Sequence, residues 1–155
     1  MTTQTIRMAR PINRYLLVAL PLAILGFLVN PHGPLGGFWA PAAGLPVPAP
    51  AQVPFFMLLN VAEAVTFGSG IAFLLFGYND FFANSGVSSL LTRLAHISIA
   101  WLFLNWLPHD SLHVHLGESD LWQLLALEYG FHVTLMIAGA ILAVFFARVM
   151  QAASK

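Results

Sequence analysis

Four long apolar runs dominate this chain, at residues 15–29, 53–78, 89–107 and 121–150. A helix rises 1.5 Å per residue, so about 20 apolar residues cross a hydrocarbon core of about 30 Å. Only 8% of the 155 residues are charged, against about 25% in soluble domains. So few charges cannot cover a globular surface that faces water. The sequence therefore predicts an all-α integral membrane protein. Its expected form is an antiparallel bundle of four transmembrane helices, a single membrane domain over residues 1–155.

The segments between the runs support this division. Residues 1–14 carry Arg7, Arg10 and Arg14 and no acid. A basic stretch before an apolar run also begins a signal peptide, but that reading needs small residues just after the run. The nearest such pattern, Ala40-Pro41-Ala42, lies too far downstream, so the first run reads as an uncleaved span kinked at Pro21. Residues 30–52 form a Pro/Gly-rich loop. Pro46, Pro48 and Pro50 favour an extended path, and Phe38 and Trp39 are suited to the membrane interface. In the second run, Gly68-Ser69-Gly70 permits close helix packing. The third run is expected to stop at Pro108, before a polar loop over residues 108–120. Trp101, Trp106 and Trp122 read as an aromatic belt.

Lys and Arg placement predicts the orientation. Loops 30–52 and 108–120 contain neither residue. Arg7, Arg10, Arg14, Arg93, Arg148 and Lys155 all fall on one side of a four-span threading. By the positive-inside rule both termini are cytoplasmic, in a bacterial inner (plasma) membrane, and loops 30–52 and 108–120 are external. Zero net charge and the lack of a basic patch exclude a nucleic-acid partner. The absence of cysteine excludes disulfides, thiolate metal sites and cysteine catalysis. The expected partners are lipid and other membrane subunits or further copies of the chain.

Polar chemistry gathers in residues 107–132, which hold four of the six histidines and four of the six acids. Within the predicted outer loop, His109, Asp110, His113 and His115 are candidate ligands for a divalent transition metal, with Glu118 and Asp120 nearby. His109 and His113 share a face if the segment is helical. His113 and His115 share one if it is extended. One regular element cannot align both pairs, and a plain solvated loop needs no metal at all. The string His109-Asp110-Ser111-Leu112-His113 also resembles one histidine box of the membrane di-iron hydroxylases and desaturases. Those enzymes use several boxes, with more histidines than the six here, on the cytoplasmic face. The resemblance covers these five residues.

A second set lies inside the runs. Counted inward from the outer boundary, Glu63, His96 and His132 all fall roughly 15–18 Å deep. Glu128 is one turn outward of His132, and Asn60 nearly one turn outward of Glu63. Ionisable groups in lipid are costly and usually face the bundle interior. Glu63, His96, Glu128 and His132 are thus candidates for binding haem, with Gly68 and Gly70 or Gly130 and Gly139 making room for the porphyrin. They are equally candidates for holding a transition metal directly, for relaying protons or ions, or for fixing helix packing as a structural cluster. The leading expectation is a small membrane protein that binds haem or a divalent metal among spans two to four. It would serve redox or proton transfer within a larger complex. The alternatives are a non-catalytic accessory subunit and a small proton- or metal-ion-translocating protein.

Overall fold

The computed structural model describes residues 3–83, 85–117 and 120–154, with side chains from Asn13 onward. Glu118, Lys155 and the side chains of Arg7 and Arg10, which entered the charge and ligand expectations, fall outside that description.

All regular structure among the described residues is helical. Helix α1 runs over Thr3–Val29 and continues through Pro21 without interruption. Helix α2 spans Val53–Gly77, starts with proline in its first turn, and continues through a π-turn at Tyr78–Phe82. Proline is at home there because the first-turn N–H groups lack intrahelical partners anyway. Helix α3 covers Ser89–Leu104 and α4 covers Trp106–Leu116. Helix α5 (Leu121–Glu128) joins α6 (Thr134–Ala153) through a second π-turn, Tyr129–Val133.

The α3–α4 junction differs from expectation. In place of a helix end at Pro108 and a polar loop, the chain bends by 47° at Asn105 and stays helical to Leu116. Pro108 is the cause. It has no N–H to give the carbonyl of Leu104, four residues back, and its ring clashes with that carbonyl. The helix therefore breaks one turn before the proline rather than at it. Asn105 sits in the break, fully buried, and its Nδ2 donates to the carbonyls of Trp101 (2.8 Å) and Leu102 (3.0 Å). Gly117, with φ +60°, then ends α4 in a conformation that side chains disfavour.

Two continuous helices, Val53–Phe82 and Leu121–Ala153, are long and apolar enough to cross a membrane, and the bent α3–α4 pair makes a third if it is one span. Helix α1 contributes a further apolar stretch, Asn13–Val29, among the residues whose side chains are described.

The helices pack in the order α1, α2, α3, α6. The glycines on α2 make the close approaches. A Cβ on Gly68 would meet the backbone of Ala19 and Ala23 on α1, and one on Gly70 would meet Phe103 and Leu104. The room these two glycines make is taken by neighbouring helices and leaves none for a porphyrin. Phe82, Ala95 and Phe145 form the apolar core at one end. Elsewhere the usual distribution is inverted. Asn30, Asn60, Glu63, His96, Asn105 and Ser111 are buried, while Leu17, Phe55, Leu58, Leu121 and Met136 are exposed. Apolar atoms outside and polar groups inside suit a lipid solvent.

Candidate metal centre

The bend at Asn105 brings α4 against α5. Because residues 106–116 are helical, His109 and His113 stand on one face a turn apart. Their rings lie edge to face with centroids 4.6 Å apart, and their Nε2 atoms are 3.1 Å apart. Opposite them, α5 begins at Asp120, whose carboxylate accepts the N–H groups of Trp122 (3.0 Å) and Gln123 (3.1 Å). This N-cap fixes where α5 starts, and its last residue is Glu128.

Glu128 Oε1 lies 3.1 Å from His113 Nε2, and its Oε2 lies 2.5 Å from His132 Nδ1. One ligand atom from each of His109, His113 and Glu128 falls within 4.8 Å of the others. All three residues are half-buried, and His132 is more exposed.

The π-turn at Tyr129–Val133 shapes the rest of the wall. Such turns leave backbone carbonyls without their usual partners. Here Thr134 Oγ1 lies within hydrogen-bond reach of the carbonyls of Gly130 (2.6 Å) and Phe131 (3.0 Å), and it accepts from Trp101 Nε1 at 3.0 Å. Phe131 is thereby held between Trp101, stacked at 5.6 Å, and the His109 ring, at 4.8 Å. His109 and His132 have ring centroids 5.0 Å apart. Aromatic rings thus shield one side of the cluster, and the other side opens past His132.

A metal ion bound by nitrogen and oxygen at about 2.0–2.1 Å in tetrahedral geometry spaces its ligands about 3.3 Å apart. The two separations of 3.1 Å are close to that value. His132 on the second carboxylate oxygen is the kind of outer partner that orients a ligating carboxylate.

The cluster unites half of each set read from the sequence. From the presumed loop come His109 and His113; from the presumed span interior come Glu128 and His132. The other candidates have partners elsewhere. His115 hydrogen-bonds through Nδ1 to the carbonyls of Trp39 (2.7 Å) and Ala40 (3.2 Å), tying α4 to the loop after α1. His96 contacts the Phe73 carbonyl at 3.0 Å and is ringed by Phe73, Tyr78 and Phe82. Glu63 accepts from Asn30 Nδ2 at 3.0 Å. Asp110 lies within electrostatic reach of Glu63. Trp101, Phe131 and Thr134 shape the site without having been singled out for it. Their only sequence signal is a helix-compatible spacing that many packing residues share.

Comparison with protein-family models, curated proteins and solved structures finds no match for this chain.

Proposed function

We propose that the protein is a small integral membrane protein that binds one divalent transition-metal ion through His109, His113 and Glu128, with His132 orienting the carboxylate. The observation that carries this reading is the convergence of those three ligand atoms within 4.8 Å from two separate helices. A ligand set of two imidazoles and one carboxylate leaves coordination positions open. With zinc it polarises a water or carbonyl, and with iron it leaves room for an oxidant. The same set favours a bare ion over haem. Rings whose centroids are 5.0 Å apart leave no room for a porphyrin between two imidazoles.

Depth along α6 supports a site near one membrane face. Glu128 and Arg148 are 20 residues apart, about 30 Å of helix, or one hydrocarbon thickness. With Arg148 at the cytoplasmic interface under the positive-inside rule, the ion lies at the opposite face. An ion there serves redox or proton transfer with partner subunits more readily than passage across the membrane.

Elemental analysis of detergent-purified protein after loading with zinc or cobalt tests the reading. About one equivalent should bind to the parent protein, and His109→Ala, His113→Ala and Glu128→Gln should each lose it. His96→Ala and His115→Ala should keep it. Retention by the first three variants, or no binding at all, overturns the proposal. The second outcome leaves a structural cluster in an accessory subunit. That reading is favoured by the contacts Glu128 already makes to His113 and His132.

A further inference from the structure

A second polar site lies where α1, α2 and α4 meet. Its floor is apolar. A Cβ on Gly26 of α1 would touch Leu107 of α4 and Ala64 of α2. One turn further along each helix, in the same direction through the bundle, the residues become Asn30, Asn60 and Ser111. Asn30 and Ser111 are 0% exposed, Asn60 is 1% exposed, and Glu63, three residues from Asn60 on the same face of α2, is 5% exposed. A three-helix junction in an apolar protein thus holds a layer of buried polar side chains.

The bonding in that layer is incomplete. Asn30 Nδ2 donates to Glu63 Oε2, and Asn30 Oδ1 accepts the His32 N–H at 3.1 Å. Ser111 Oγ donates to the Leu107 carbonyl at 2.6 Å. Both Oδ1 and Nδ2 of Asn60 are buried without a partner. Among the described residues, no Lys, Arg or His forms an ion pair with Glu63. The charged group that acts on it from α4 is Asp110, another acid, and α1 presents the neutral Asn30. Orphaned buried polar atoms and a buried carboxyl with no cation beside it are each costly. Together they mark a place for something that carries positive charge and both gives and accepts hydrogen bonds.

We infer that Asn60, Glu63 and Asn30 form a buried binding site for one small hard cation with a water on it, either Na+ or a hydrated proton. The ligand atoms on offer are Asn60 Oδ1 and the oxygens of the Glu63 carboxyl, with Asn30 Nδ2 holding that carboxyl in place. Hard cations take oxygen, whereas the imidazole-rich cluster on α4 and α5 suits a transition metal. The cation offsets the Glu63 charge. Asn60 Oδ1 faces the ion or a water proton, and Asn60 Nδ2 donates to the water oxygen. The site does not depend on metal binding at His109 and His113.

The experiment is thermal unfolding of the full chain in detergent, with NaCl exchanged for choline chloride at constant ionic strength, and then repeated across pH. For Na+, each tenfold rise above the dissociation constant raises the folded-to-unfolded ratio of the parent protein tenfold. Glu63→Gln and Asn60→Leu show no such response. For a proton, Na+ has no effect, and the parent loses stability relative to Glu63→Gln as pH rises, because the folded form binds the extra proton. Asn60→Leu then narrows that difference. A cooperative unfolding transition in each of the two variants shows that they fold. Identical Na+ and pH responses in the parent and Glu63→Gln overturn the inference.

Discussion

Gly68→Ala tests the α1–α2 packing on which the buried layer depends. A Cβ at Gly68 would stand 2.8 Å from the Ala23 amide nitrogen and closer still to the Ala19 carbonyl oxygen. Both are helix backbone atoms, so no side chain can swing aside. Restoring an ordinary separation of about 3.5 Å requires α1 to retreat by roughly 1 Å. A gap of that size forfeits about a quarter to a half of the dispersion attraction across the affected contacts. Overpacking of this kind costs about 1–3 kcal/mol. The better helix propensity of alanine returns up to about 1 kcal/mol. With the full return the expected net loss against the parent is therefore about 0–2 kcal/mol, and against an alanine that meets no clash it is about 1–3 kcal/mol. Gly139→Ala is the matched control, because a Cβ there meets nothing within 4 Å. Unfolding in detergent should rank Gly68→Ala below Gly139→Ala, with Gly139→Ala level with the parent or above it. Equal stability of the two variants would refute the close seating of α1 on α2.

Four further outcomes follow from the geometry. Lowering pH from 7.5 to 5.5 should weaken zinc binding, because protons compete with the ion for the imidazole lone pairs; a zinc titration at both values checks this. Pro108→Ala restores the N–H that Leu104 lacks, so it should reduce the 47° bend, carry His109 and His113 away from Glu128 and lose the ion, as read by spin-label distances across the bend and by metal content. Asp120→Ala removes the cap of α5 and should cost about 1 kcal/mol, seen as a lower unfolding midpoint. Asn30→Leu strips Glu63 of its amide donor and should cost about 1–3 kcal/mol in the same assay.

The sequence made the helical class and the apolar spans at 53–78 and 121–150 legible, because long apolar runs with few charges admit little else. It also marked His109 and His113 as a pair if their segment were helical. It did not reveal that the segment is helical, since proline, histidine and acid together read as a polar loop. The break was misplaced by one turn because proline acts on the carbonyl four residues before it, at Leu104, and not at its own position. Equal depth grouped Glu63 and His96 with His132. Depth counts rise along a helix and carries no information on rotation about its axis. The structure gives His96 to the Phe73 carbonyl and Glu63 to Asn30.

Helix α4 carries both polar sites on consecutive residues. His109 faces His113 and the α5 cluster, while Asp110 lies within reach of Glu63 on α2. Consecutive residues on a helix point about 100° apart, so a helix wedged between α2 and α5 necessarily shows one to each neighbour. Ser111 and Leu107, both buried on the same helix, lock its inner face. The orientation of α4 is set by the break that Pro108 forces at the Leu104 carbonyl, and the Asn105 side chain in that break is held by the carbonyls of Trp101 and Leu102. Straightening or rotating α4 therefore displaces His109 and Asp110 together. An event that holds His109 in place, such as binding an ion, also fixes its neighbour Asp110. Any coupling between the two sites acts through this one short helix, and by linkage its free energy is the same in both directions.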